Sequence, residues 1–127
     1  MITPVNRRRV VRLVLSLVAS LILISQAEAA DINGRFIILG FGSESCGTYV
    51  AERKLGKDNP YRGWLTGYLS AYNESLKNTY NVLGNTDVEA ALLWIDKYCN
   101  EHPLDSFADA NKALLTELLP RRQVSKP

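Results

Sequence analysis

The chain has 127 residues, 46% of them hydrophobic and 22% charged, with two Cys and one His. That balance describes one globular domain and not a disordered chain, and so few Cys and His exclude most metal and nucleophile constellations. Arg7, Arg8, Arg9 and Arg12 and a single acid, Glu28, lie in the first 29 residues, so residues 30–127 carry 11 basic against 12 acidic residues. The formal charge of +2 therefore describes no basic surface, and the general argument for nucleic acid disappears.

The first 29 residues have the dimensions of a secretory signal. A basic stretch precedes a twelve-residue apolar run, residues 13–24, interrupted only by Ser16 and Ser20, and Ala27-Glu28-Ala29 supplies a small-x-small cleavage pattern. The run is short against the roughly 20 residues of a membrane span, so cleavage after Ala29 is favoured over an uncleaved anchor. No Cys follows the run to carry a lipid. The expectation is a periplasmic protein of residues 30–127, without stable membrane insertion after cleavage. In an oxidising compartment Cys46 and Cys99, the only two Cys, are expected to pair. A loop of about 53 residues closed in this way is worth about 4 kcal/mol in the chain-entropy account.

The Asn33-Gly34 turn signal opens an extended N-terminal segment, residues 30–42. Within it residues 36–41 are uncharged and mostly β-favouring, but no second strand is present to pair with them. They are expected to lie across the chain's own helices, the alternative being an edge that pairs with a partner or a second copy. A first helix is expected over residues 46–55, with Ser45 as N-cap and Cys46, Tyr49 and Val50 on one face. A second, over residues 60–77, begins with Pro60, whose missing N–H is harmless there. Tyr61, Trp64, Leu65, Tyr68, Leu69, Tyr72 and Leu76 fall on one continuous face of it. Gly63, Gly67 and Ala71 form a small-residue stripe beside that face, which predicts close approach by another segment.

Thr86-x-x-Glu89 reads as a capping box opening a third helix, with Val88, Ala91, Leu92, Ile95, Tyr98 and Cys99 inward, Trp94 to one side, and Pro103 ending it. A fourth helix is expected over residues 104–119 with Leu104, Phe107, Ala108, Leu114, Leu115 and Leu118 inward. Asp105 and Asp109 suit its N-terminal dipole, and Arg121 and Arg122 its C-terminal end. Residues 120–127 read as a loose tail. The fold class is all-α, a small four-helix bundle over residues 43–119 stapled by a disulfide.

Chemistry finds little purchase. His102 is the one candidate base, with Glu101 beside it and Ser106 on the next turn, but nothing resembles a nucleophile elbow. A zinc site from Cys46, Cys99 and His102 lacks a fourth ligand and competes with the disulfide. Gly40-x-Gly42 is too short for a phosphate loop, and no other cofactor motif occurs. Asn73-Glu74-Ser75 matches a glycosylation acceptor but sits in mid-helix. The residues support protein binding and not catalysis. Tyr61, Trp64, Tyr68 and Tyr72 are the candidate partner surface, because rings with a polar tip suit interfaces.

SCGTYVAERK around Cys46, WLTGYLSAYN in the second predicted helix and ALLWIDKYCNEHPLDSF around Cys99 carry a resemblance over roughly residues 43–119. The layout resembles the HdeA/HdeB acid-stress chaperone family, and it is also similar to the Rap/Tai group of type VI secretion immunity proteins. Neither likeness implies catalytic residues; both imply that Cys46–Cys99 is structural. The chaperone likeness implies a protein client, a homodimer and an acid switch. The immunity likeness implies a rigid plug for one secreted toxin. An envelope-associated binding module is a third reading of the same aromatic face.

Overall fold

Among the described residues four helices are present: α1 Cys46–Lys54, α2 Asn59–Ser75, α3 Val88–Glu101 and α4 Phe107–Leu118, with short 3-10 turns at Gly40–Ser43 and Leu119–Arg121. This computed structural model describes residues 30–127; the expected leader, residues 1–29, lies outside them. The described residues divide after Phe36 into two units. In the first, Asp31 ties a small turn: its carboxylate accepts from the backbone N–H groups of Asn33 and Arg35, both at 2.8 Å, and pairs with the Arg35 guanidinium. Those backbone bonds hold the Asp31 carboxyl below its ordinary range. The second unit, Ile37–Pro127, is the disulfide-stapled all-α bundle that the sequence predicts. No strand occurs among the described residues.

Each helix start has a local cause. The Ser45 hydroxyl accepts from the Thr48 N–H at 3.0 Å and so caps α1 as expected. The start of α3 differs by one residue from expectation. Asp87, not Thr86, is the cap, accepting from the Ala90 N–H at 2.8 Å. A carboxylate is the stronger acceptor, and Glu89 is thereby released to pair with Arg62 of α2 at 2.6 Å.

A larger correction concerns α4, which begins at Phe107 and not at 104. Ser106 and Asp109 form its capping box. The carbonyls of Pro103 and Asp105 accept instead from Gly47 N–H (3.0 Å) and Cys46 N–H (2.8 Å), two otherwise orphaned donors of α1. Leu104, expected inward, is consequently 96% exposed.

The N-termini of α1 and α4 thus meet through a Ser45–Ser106 bridge. Cys46 and Cys99 form the disulfide beside it, tying the first residue of α1 to the last turn of α3. Behind this junction Tyr49, Tyr61 and Phe107 form a buried ring cluster with centroids 4.8–5.1 Å apart. Such pairs add roughly 0.5–1.5 kcal/mol each beyond their burial. Leu65, Leu92, Ile95 and Leu114 complete the centre.

The chain's end is less loose than its composition predicts. Gln123 bridges Asn81, exchanging backbone bonds of 2.9 and 3.1 Å, and Arg122 donates to Thr79 Oγ1. Gly84 makes this possible: its φ is +61°, and a Cβ there would collide with the Arg121 carbonyl. Asn73 is equally committed, its side-chain oxygen accepting from Val82 N–H at 2.7 Å. The close approach expected at Gly63, Gly67 and Ala71 is absent: the stripe is exposed, and both glycines have open space where a Cβ would stand. It lies across α2 from Tyr61 and Leu65, which already take the core contacts.

Candidate functional site: the aromatic ladder of α2

The four aromatic residues of the predicted partner surface separate into two groups. Tyr61 is only 1% exposed and belongs to the core, held edge-on between Tyr49 and Phe107. It is therefore removed from the surface, because its angular position on α2 matches Leu65 and not the rim. Trp64, Tyr68 and Tyr72 are half-buried at the edge of the core. Their spacing of four residues stacks them along the helix. Trp64 lies nearly parallel to Tyr68 (5.2 Å, 16°), and Tyr68 leans on Tyr72 (4.9 Å, 58°). The Tyr68 hydroxyl donates to that of Tyr72 at 3.4 Å. Burial, reinforced by that bond, pushes the Tyr68 phenol above its ordinary value.

Residues 37–43 cross the first rung of this ladder. The Trp64 indole N–H donates to the Leu39 carbonyl at 2.9 Å. The indole rests on Gly42, where a Cβ would collide with the ring, and the Ile38 side chain closes the same contact. Phe41 meets Tyr61 edge-on at 5.0 Å. The segment thus lies over the chain's own helices, but as an extended stretch running into a 3-10 turn and not as a strand. Its outer side is apolar and open: Ile37 is 78% and Leu39 70% exposed.

A second ladder, which the helical spacing of Trp94 foreshadows, runs along α3. Trp94 stacks on Tyr98 (5.7 Å, 16°) and Tyr98 on His102 (4.5 Å, 34°). Tyr98 donates to Asp105 at 2.7 Å, and that bond, with some burial, pushes its phenol up to about 12. The Ser106 hydroxyl donates to Asp109 at 2.6 Å within the α4 cap.

The strongest polar cluster serves packing. Asp96 of α3 accepts from the buried Tyr49 hydroxyl (2.6 Å) and from Arg53 Nε (2.8 Å), while Arg53 also pairs with Asp58 at 2.7 Å. Burial opposes the charge on Arg53, yet these carboxylates raise its proton affinity overall; burial and Asp96 raise that of Tyr49. A shallow hollow of about 180 Å³ opens here, lined by Val50, Arg53, Lys54, Asp96 and Asn100. Its polar groups are largely bonded to one another, Asn100 donating to the Asp96 carbonyl at 2.7 Å. Cys46 and Cys99 are bonded to each other, and among the described residues no group of three or more His, Cys, Asp or Glu side chains is placed to hold a metal ion. Among the same residues no helix is long and apolar enough to cross a membrane.

Compared with protein-family models, curated proteins and solved structures, the chain matches none.

Proposed function

We propose that this is an exported periplasmic protein that acts by binding another protein, in the manner of an HdeA/HdeB-like chaperone that shelters a client in acid. The observation that carries this reading is the half-buried ladder Trp64, Tyr68 and Tyr72, flanked by the exposed Ile37 and Leu39 on a disulfide-held scaffold. Apolar surface of this kind beside polar ring tips suits partner contact.

The acid response follows from charge. Residues 30–127 hold 12 carboxylates against 11 Lys and Arg, so acidification leaves a self-repelling cation. The Glu89 carboxyl is held below its ordinary value by its bond to Arg62. What that pair contributes is complete above the unfolded pKa and is lost as pH falls through the lower folded one. Loss of the Arg62–Glu89 pair removes one surface tie between α3 and the ladder-bearing helix α2.

Light scattering of the oxidised protein at pH 7 and pH 3, with a dye that reports apolar surface, tests the reading. A dimer that dissociates in acid and binds dye is the expected result. An unchanged particle that ignores the dye at pH 3 would sink the acid switch. That outcome favours the Rap/Tai-like alternative, in which the rigid disulfide junction presents one preformed surface to a secreted toxin at neutral pH.

A further inference from the structure

The ladder and the segment over it fix the kind of partner more closely. We propose that Trp64 and its surroundings form a peptide-docking cradle, occupied in the free protein by the chain's own residues 37–42. The partner it takes is an extended, uncharged, apolar segment of another protein. This rests on the protein-binding reading above and specifies its ligand.

Three observations carry it. First, the cradle is already shown holding such a segment: Leu39 is extended (φ −108°, ψ 154°), its carbonyl accepts from the indole N–H, and Gly42 lies against the ring. The indole N–H of this half-buried ring is a free-standing donor at the rim, and any extended backbone supplies an acceptor for it. Second, the leading half of the resident segment is weakly fastened. Phe41 packs edge-on against Tyr61 and Gly42 is buried against the Trp64 ring, but among the described residues the Trp64 bond is the one side-chain hydrogen bond that holds residues 37–39 to α2, and Ile37 and Leu39 remain largely in water. A stretch with few buried contacts opens at low cost, without unfolding the helices. Third, the cradle does not end where the segment ends. The rings continue from Trp64 to Tyr68 and Tyr72, so a longer apolar peptide covers more of the ladder than the chain's own turn does.

The geometry also sets a preference. The residue three positions after the one whose carbonyl meets the indole must be Gly, because a Cβ there strikes the Trp64 ring and approaches Ile38 Cγ2 at 2.8 Å. A charged residue at the Ile38 position, whose side chain is half-buried in the docked stretch, is disfavoured, since docking would strip it of water.

The test uses the full chain and a labelled peptide of residues 37–43, followed by fluorescence anisotropy. Gly42→Ala expels the resident segment. Ile38→Asp loosens it by a second route, should the first variant fail to fold. The peptide is expected to bind either variant at least tenfold more tightly than it binds the wild type, where the tethered copy competes. The same peptide carrying Ala at the Gly42 position should lose at least tenfold, and adding Trp64→Phe to the loosened chain should weaken binding. Equal affinity for the wild type and both loosened chains, no binding to any of them, or indifference to the glycine would overturn the cradle. These outcomes are separable from the acid reading. Dye binding at pH 3 without peptide binding leaves a chaperone with a different surface, whereas glycine-selective peptide binding without an acid response leaves the cradle on a protein of another role.

Discussion

The two sides of the bundle are held by different kinds of interaction. Where α1, α3 and α4 meet, a disulfide, paired backbone bonds between Cys46, Gly47 and the carbonyls of Asp105 and Pro103, and the Asp96 cluster act within a few residues of one another. Along the rim of α2, ring stacking, one indole bond to Leu39 and a surface pair from Arg62 to Glu89 do the same work. The first kind of interaction is directional and cross-linked, so it fixes helix positions. The second is mostly contact area, which tolerates sliding and replacement. The proposed binding role needs both, a frame that keeps its place and a surface that can exchange one apolar neighbour for another.

The contrast is broken most directly at the disulfide. Replacing Cys46 and Cys99 together by Ala should cost about 4 kcal/mol, measured as a lower urea midpoint, while Trp64 emission in the folded state stays unchanged. A loss below about 1 kcal/mol would mean that the junction is not what holds the frame. Next in size is Asp96→Ala, which strands the buried Tyr49 hydroxyl and leaves the half-buried Arg53 with Asp58 as its one carboxylate partner among the described residues. It should cost about 3 kcal/mol in the same assay. On the other side Trp64→Phe keeps a ring but removes the bond to Leu39 and part of the indole that lies against Gly42, so the loss should stay within about 2 kcal/mol. A larger loss would show that the rim is as firmly built as the junction.

The smallest effect separates the two in alkali. Tyr98, pushed up to about 12 chiefly by its bond to Asp105, favours the fold only while its phenol is neutral. Its contribution is complete below the unfolded value of about 10 and is lost as pH rises through the folded one. The stability difference between wild type and Tyr98→Phe should therefore be constant below pH 10 and shrink from there towards pH 12, read from urea midpoints.

Much of this frame is legible in the sequence, and the limits are instructive. Helical spacing locates all four helices, and Ser45 announces its own cap, because both signals are local. The pairing of Cys46 with Cys99 is expected from an even count together with the expectation of export. Tyr61 cannot be told from Trp64 by periodicity, since a wide apolar face includes both centre and rim. Leu104 is at the right spacing to be buried; it is outside because α1, far away in sequence, claims the carbonyls on either side of it. Gly42 looks like an ordinary loop glycine until Trp64 is brought against it. The resting place of residues 37–42, like the anchoring of Gln123 on Asn81, depends on contacts that no local pattern encodes.

The disulfide has a further consequence, which concerns time and not strength. Both sulfurs lie in residues with no exposed surface, and exchange requires a thiolate to reach a sulfur atom. A reductant outside therefore waits for the helices to part, and the cross-link survives for as long as the junction stays shut. When attack is faster than reclosing, the speed of reduction counts how often α1 and α3 come apart. In that regime the bond is a slow clock within the protein, recording each opening of the junction it crosses.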